Sequence, residues 1–259
     1  MNAEMNRFLP PLRTLLPTEH GTWFMLGFPM VLGLLLRPSP AGLCLDLAAL
    51  SVFLARPALR RVLTGRREPP LVRALLLLGG LTCTFGVTTI LLSDFRFLIP
   101  LLLLAPLTAF AWRADLERTV RSLGVEMAAQ AAFAGLAAAL LLADGDTLLA
   151  AGRAWLLVTL VGSANLAHVR RILGHAHGLG APDLDRRRLA VHTLHLLLIG
   201  CSLLLLAANN LPGALWTGWT GLLYLRALAP YRSLPARTLG WREGGLSVVS
   251  LLLLWAALR

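Results

Sequence analysis

Arg56-Pro57-Ala58-Leu59-Arg60-Arg61-Val62-Leu63-Thr64-Gly65-Arg66-Arg67-Glu68-Pro69-Pro70-Leu71-Val72-Arg73 runs directly into residues 74–93, ALLLLGGLTCTFGVTTILLS. Six arginines crowd the first block, and the twenty residues after it carry no charge. About twenty apolar residues are what a helix needs to cross a hydrocarbon core about 30 Å thick. An arginine block beside such a stretch marks the side of the membrane on which the loop is retained.

The same alternation extends both ways from this point. Apolar stretches fall at about 21–36, 41–55, 74–93, 97–112, 123–143, 152–169, 190–208, 211–228 and 245–258. Several are shorter than twenty residues, and their polar ends are expected to continue as helix into the interface. With the N-terminus inside, the inner segments hold twenty of the twenty-four arginines, and Arg37, Arg96, Arg153 and Arg259 fall outside. The chain has no lysine. The expected fold is all-α: a polytopic transmembrane bundle of about nine spans in one domain, 1–259, N-inside and C-outside. Segment 1–19 is then a cytoplasmic N-terminal segment, and the location is the cell inner membrane. No small-residue cleavage site follows the first apolar run, so that span is expected to be retained.

Composition agrees. Charged residues make up 14% and hydrophobic residues 57% of the chain, with a mean hydropathy of +0.71; soluble domains carry about a quarter charged residues. The net charge of +11 does not mean nucleic acid. The arginines flank apolar spans, where they meet anionic headgroups, and no stretch is long enough for the continuous basic surface of a nucleic-acid binder. Membrane lipid is the expected partner. Cys44, Cys83 and Cys201 lie inside apolar stretches without CxxC spacing and read as small buried apolar residues.

The polar residues of interest gather at the inner ends of the spans. Asn165 and His168 are three apart and share a helix face, as do His192 and His195. Arg118, Ser122 and Glu126 form a stripe in steps of four. Ionisable groups near lipid face the bundle interior or a wet cavity, so these stripes are expected to line one cytoplasm-facing pocket suited to a phosphate or carboxylate. Glu19 and His20, at the mouth of the first span, are the candidate catalytic acid/base pair. Trp23, Arg56, Arg113, Arg121, Glu126, Asn165, His168 and Arg170 are the candidate substrate-binding residues; Arg56, Arg113, Arg121 and Arg170 would hold the anion. No metal site is expected, since His192 and His195 have no obvious third ligand, and no cofactor is indicated. The plainer readings stand beside these. Loop arginines serve as topology anchors, Glu126 pairs structurally with Arg118 or Arg121, and Asp46 snorkels or caps.

Pro17-Thr18-Glu19-His20-Gly21-Thr22-Trp23-Phe24-Met25-Leu26 is similar to the opening P-x-E/Q-H-G-x-W-x-M-L of the YwiC-like family of bacterial membrane proteins. The Arg/Glu pattern through 113–126 and the arginines at 170–171 also fit. That resemblance implies a multi-pass membrane protein and no particular activity. The architecture more weakly resembles UbiA-type intramembrane prenyltransferases, which have nine helices and a site open to the cytoplasm. Their aspartate motifs, after helices 2 and 6, hold Mg²⁺ and a prenyl diphosphate. Here 56–73 offers only Glu68, and 170–189 only Asp183 and Asp185 without the usual spacing. An enzyme of this chain would be a UbiA-like transferase lacking the paired Asp motifs. Three function classes therefore stand: a binder of an anionic amphiphile such as a phosphorylated lipid or isoprenoid, a non-catalytic accessory or assembly protein, and a UbiA-like transferase or small-solute transporter.

Overall fold

The apolar stretches fold as helices. The computed structural model describes residues 15–16, 20–117, 122–208, 210–229 and 236–259, and among these there is no strand. The ten α-helices are α1 His20–Leu36, α2 Pro40–Leu63, α3 Pro69–Leu92, α4 Leu98–Leu103 and α5 Ala105–Leu116, then α6 Leu123–Ala143, α7 Leu148–Ala176, α8 Ala181–Ala208, α9 Asn210–Leu228 and α10 Ala236–Leu258.

Local signals set the ends. Ser39, Ser122 and Thr147 cap α2, α6 and α7, their hydroxyls accepting from the backbone N–H of Gly42, Val125 and Ala150. Pro40 and Pro69 occupy first turns, where their missing N–H costs nothing. Gly65 (φ 96°) and Gly178 (φ 66°) follow α2 and α7 in the left-handed conformation that ends a helix.

Two expectations need correction. The long inner loops 56–73 and 170–189 are mostly helix: α2 runs to Leu63 and α7 to Ala176, and α8 starts at Ala181. Arginine is a good helix former, so charge changes the helix's surroundings without ending it. The stretch at 97–112 is not one straight span. A 3₁₀ turn at Phe95–Phe97 leads into α4, and α4 and α5 meet at 50° around Leu104. Pro106, in the first turn of α5, has no N–H for a continuous ladder and crowds the preceding turn.

Six helices (α2, α3, α6, α7, α8 and α10) are long and apolar enough to cross a membrane, and the bent α4–α5 pair makes seven. α6 is the central one, with 67% of its spanning window buried against 11% for α3. The reason is in its sequence, LGVEMAAQAAFAGLAAALLLA: alanines and Gly135 let neighbours approach closely. Leu104, at the α4–α5 bend, sits where a Gly135 Cβ would be, 2.3 Å from that position. α1, α6, α7, α8, α9 and α10 pack successively into a closed circuit, α10 returning to α1. α2 pairs with α3 and, like α4 and α5, leans on α6 from outside. α3 turns Leu76 and Leu91 outward, 71% and 78% exposed. It also exposes Cys83, so that cysteine is not buried as expected; α3 packs on α2 and leaves its other faces open.

The helix ends fall into two sets. One set is tied by Arg37 to Asp146 (3.0 Å) and by Trp255 Nε1 to Leu35 O (3.0 Å). The other holds Arg56 with Asp115, Arg170 with Glu126, Arg226 with Glu243, and His192 with Tyr224.

Candidate functional site

A cavity of about 920 Å³ opens between α1, α7, α9 and α10, with Gln130 of α6 and His195 of α8 completing its wall. Its lining comes from the start of α1, the second half of α7, the end of α9 and the first half of α10. Those segments belong to the second set of helix ends, the arginine-rich one. Phe24, Phe28, Val158, Val161, Leu223 and Leu246 make the walls largely apolar. The volume lies in the range of small-molecule sites, which are typically apolar clefts with a few placed polar groups.

Arg226 and Glu243 are the charged groups of that wall. Arg226 stands in the last turn of α9, where a cation complements the helix dipole. Its Nη1 donates to both Glu243 oxygens, at 2.9 and 3.0 Å. The side chains are only 15% and 9% exposed, so each is the other's main compensation for leaving water.

His195 is 2% exposed. Its Nδ1 lies 2.8 Å from Val191 O. A carbonyl only accepts, so Nδ1 carries the proton and Nε2 is the ring's acceptor. The ring stacks on Tyr224 (5.6 Å, 29° between planes), whose hydroxyl meets His192 Nδ1 at 2.8 Å. The i, i+3 pair His192 and His195 thus shares one tyrosine.

The wall away from the ion pair depends on two close contacts. Gln130 Nε2 donates to Val158 O (3.3 Å), and a Cβ on Gly162 would stand 2.3 Å from the Gln130 amide. Only glycine at 162 leaves the amide its place. Gly244 serves Phe24 in the same way, at 2.6 Å, fixing α1 against α10. Ser250 accepts from Trp219 Nε1 (2.9 Å) and donates to Leu246 O (2.9 Å).

Of the residues singled out in the sequence, Trp23 and Asn165 line this cavity. Trp23 also meets Phe53 edge-on, with ring centroids 5.1 Å apart. His168 is 5% exposed on the same helix as Asn165, and Arg226, Arg171, His195 and Arg242 act on its ring electrostatically. Glu126 is paired with Arg170, its Oε2 accepting from Arg170 Nε at 2.6 Å; the ion pair joins α6 to α7. Arg56 is elsewhere: it binds Asp115 at 2.9 Å and ties α2 to α5. Arg113 pairs with Glu117 one turn away (2.8 Å) and is 80% exposed. Glu19 and Arg121 lie outside the described residues, and of His20 only the backbone, opening α1, is described.

The sequence reading did not place Gln130, Arg226 or Ser250 in a site, and passed over Trp241 and Ser247, which also line it. Glu243 carried a signal, as the one acid within 236–258. Asp46, read as snorkelling or capping, does neither. Ser39 caps α2, and Asp46 is 2% exposed with both oxygens lacking hydrogen-bond partners among the described residues.

Among the described residues no three or more His, Cys, Asp or Glu side chains are grouped to hold a metal ion. Asp183 faces Arg186 at 4.0 Å, both well exposed in the first turns of α8. Such residues do not fit a Mg²⁺–diphosphate centre, which needs several carboxylates on one cation.

A stack of apolar helices with its polar groups gathered inside and at its ends defines a multi-pass membrane protein. Residues 16–141, from before α1 to nearly the end of α6, match the model of the YwiC-like protein family and are similar to it. No curated protein and no solved structure matches the chain. Most of the cavity wall, from α7 to α10, lies beyond the matched segment.

Proposed function

We propose that this protein binds an anionic amphiphile in the cavity between α1, α7, α9 and α10, reached from the cytoplasmic side of the inner membrane. The carrying observation is the combination in one cavity of largely apolar walls with Arg226, His195 and Asn165. Apolar walls accept a chain, and a guanidinium anchored in the membrane accepts an anion. In this reading the chain crosses the membrane nine times, N-terminus inside. The short helices α1 and α9 are carried by their neighbours, and the cavity opens on the arginine-rich side.

Native mass spectrometry of the full-length protein from mild detergent tests the binding. The expected spectrum contains one retained anionic amphiphile, depleted when Asn165 is replaced by Leu. An apo mass with bulk lipid only would overturn the reading. Alkaline phosphatase fused after Asp146 is expected to be active, and fused after Arg67 inactive; the reverse pattern would invert the orientation.

A further inference from the structure

Two buried side chains in the cavity wall have used a donor and kept an acceptor. His195, 2% exposed, gives its Nδ1 proton to Val191 O at 2.8 Å. Gln130, 4% exposed, gives Nε2 to Val158 O at 3.3 Å. Both partners are backbone carbonyls, which only accept, so each side chain must turn an N–H to its carbonyl. His195 Nε2 and Gln130 Oε1 are left as acceptors. Neither has a hydrogen-bond partner among the described residues, and neither is sealed off as His168 Nδ1 and Arg226 Nε are. The space that both residues border is the cavity.

The rest of the wall narrows what can meet these acceptors. Asn165 follows Gly162 by three positions on α7 and lines the cavity with an amide that both donates and accepts. His195 stacks on Tyr224, which precedes Arg226 by two positions, about 3 Å of rise along α9. Buried acceptors without a partner are costly, so the wall favours a ligand that brings a donor. An ammonium is a donor, but Arg226 acts electrostatically on His195 and repels a second cation there. Glu243, which could offset that charge, is already given to Arg226. An ionised carboxylate or phosphate only accepts, and cannot serve His195 Nε2. A hydroxyl fits: it donates to His195 Nε2 and accepts from the Asn165 amide.

We infer that the ligand of this cavity carries a free hydroxyl close to its anionic group, and that His195 Nε2 is the acceptor that selects it. This rests on the reading of the cavity as an anionic-amphiphile site and narrows that class to hydroxylated amphiphiles. His195 determines specificity here, and no bond is made or broken. The short rise between Tyr224 and Arg226 sets the hydroxyl two or three bonds from the anion.

The test is binding to full-length protein in a neutral detergent, read by tryptophan fluorescence, since Trp23 and Trp241 line the cavity. The probes are dodecanoate, 3-hydroxydodecanoate and the methyl esters of both. The hydroxy acid is expected to bind about three- to tenfold tighter than dodecanoate, the worth of one net hydrogen bond. Both esters are expected to bind more weakly than the acids. His195→Phe keeps a ring against Tyr224, and is expected to bind dodecanoate as the wild type does while losing the hydroxyl preference. Asn165→Leu is expected to lose it too, and decides alone should His195→Phe fail to fold. Equal binding of the two acids to the wild type overturns the inference and leaves the anionic-amphiphile reading standing. A hydroxyl preference unchanged in both variants also overturns it. Esters that bind as tightly as the acids, with the preference intact, keep the hydroxyl site and overturn the anionic reading. Failure of all four probes overturns both.

Discussion

At the α2–α5 junction and at the α7–α9–α10 junction, arginines meet a buried carboxylate with opposite results. Asp115, 3% exposed, divides its oxygens: Oδ2 takes Arg56 at 2.9 Å and Oδ1 faces Arg60 at 3.4 Å. The arginines are 27% and 36% exposed, so water reaches what Asp115 leaves over. Across the bundle, Glu243 gives both oxygens to one nitrogen of Arg226, while Arg226 Nε, Arg171 Nε and His168 Nδ1 stay buried without acceptors among the described residues. Residue types alone do not separate the two places. The difference is whether each buried donor has an acceptor, and Arg226 and Glu243 of the second place line the cavity. The first ties α2 to α5; the second ties α9 to α10 at the wall of the cavity.

The largest effect should come from breaking the second pair. Arg226→Leu strands Glu243 in a nearly dry setting and is expected to cost about 3–5 kcal/mol. Reversible unfolding in mixed micelles measures it. The double change with Glu243→Leu should cost less than Arg226→Leu alone, because no unpaired charge remains. A larger loss in the double change would mean that the pair is not self-contained.

Next comes Gly162→Ala, whose new Cβ would overlap the Gln130 amide 2.3 Å away. Overpacking of this kind costs about 1–3 kcal/mol. The same change should weaken retention of any ligand in native mass spectra, because Gln130 lines the cavity. Wild-type retention would separate the Gln130 wall from the binding region.

Asp115→Asn is expected to cost about 1 kcal/mol, since the part-exposed Arg56 and Arg60 can turn to water. Retention of an anionic amphiphile in native mass spectra should stay at the wild-type level. Loss of binding at this distance would erase the contrast between the two places. The smallest effect belongs to Arg113→Gln. The Arg113–Glu117 pair lies on exposed surface, and neither Tm nor binding should move measurably.

The all-helical fold could be read in the chain because twenty uncharged residues such as 74–93 have few ways to satisfy their backbone in lipid other than as helix. Where the charged blocks stop being helix could not be read. Arginine is compatible with both loop and helix, and α2 and α7 continue past Arg56 and Arg171. The bend at Leu104 was visible only as Pro100 and Pro106, whose effect depends on Gly135 of α6 accepting Leu104. For the site, spacing along one helix joined Asn165 to His168 and His192 to His195. It could not foresee that Glu126 would pair with Arg170, forty-four positions away.

Read alone, then, the chain dictates helices, their order and the crowding of arginine on alternate connections. Those properties follow from short-range backbone hydrogen bonding and from the cost of charge in hydrocarbon. Which arginines are ties and which are left over was decided only when the helices packed. Arg56 and Arg226 look alike in sequence: each stands in the second half of an apolar helix, Arg226 in the last turn of α9 and Arg56 two turns before the end of α2. Asp115 shares its oxygens between two cations, whereas α10 brings Glu243 to a single nitrogen of Arg226 and leaves its Nε facing no acceptor. Hydrogen bonds between helices depend on register and crossing angle, which no spacing within a single helix encodes.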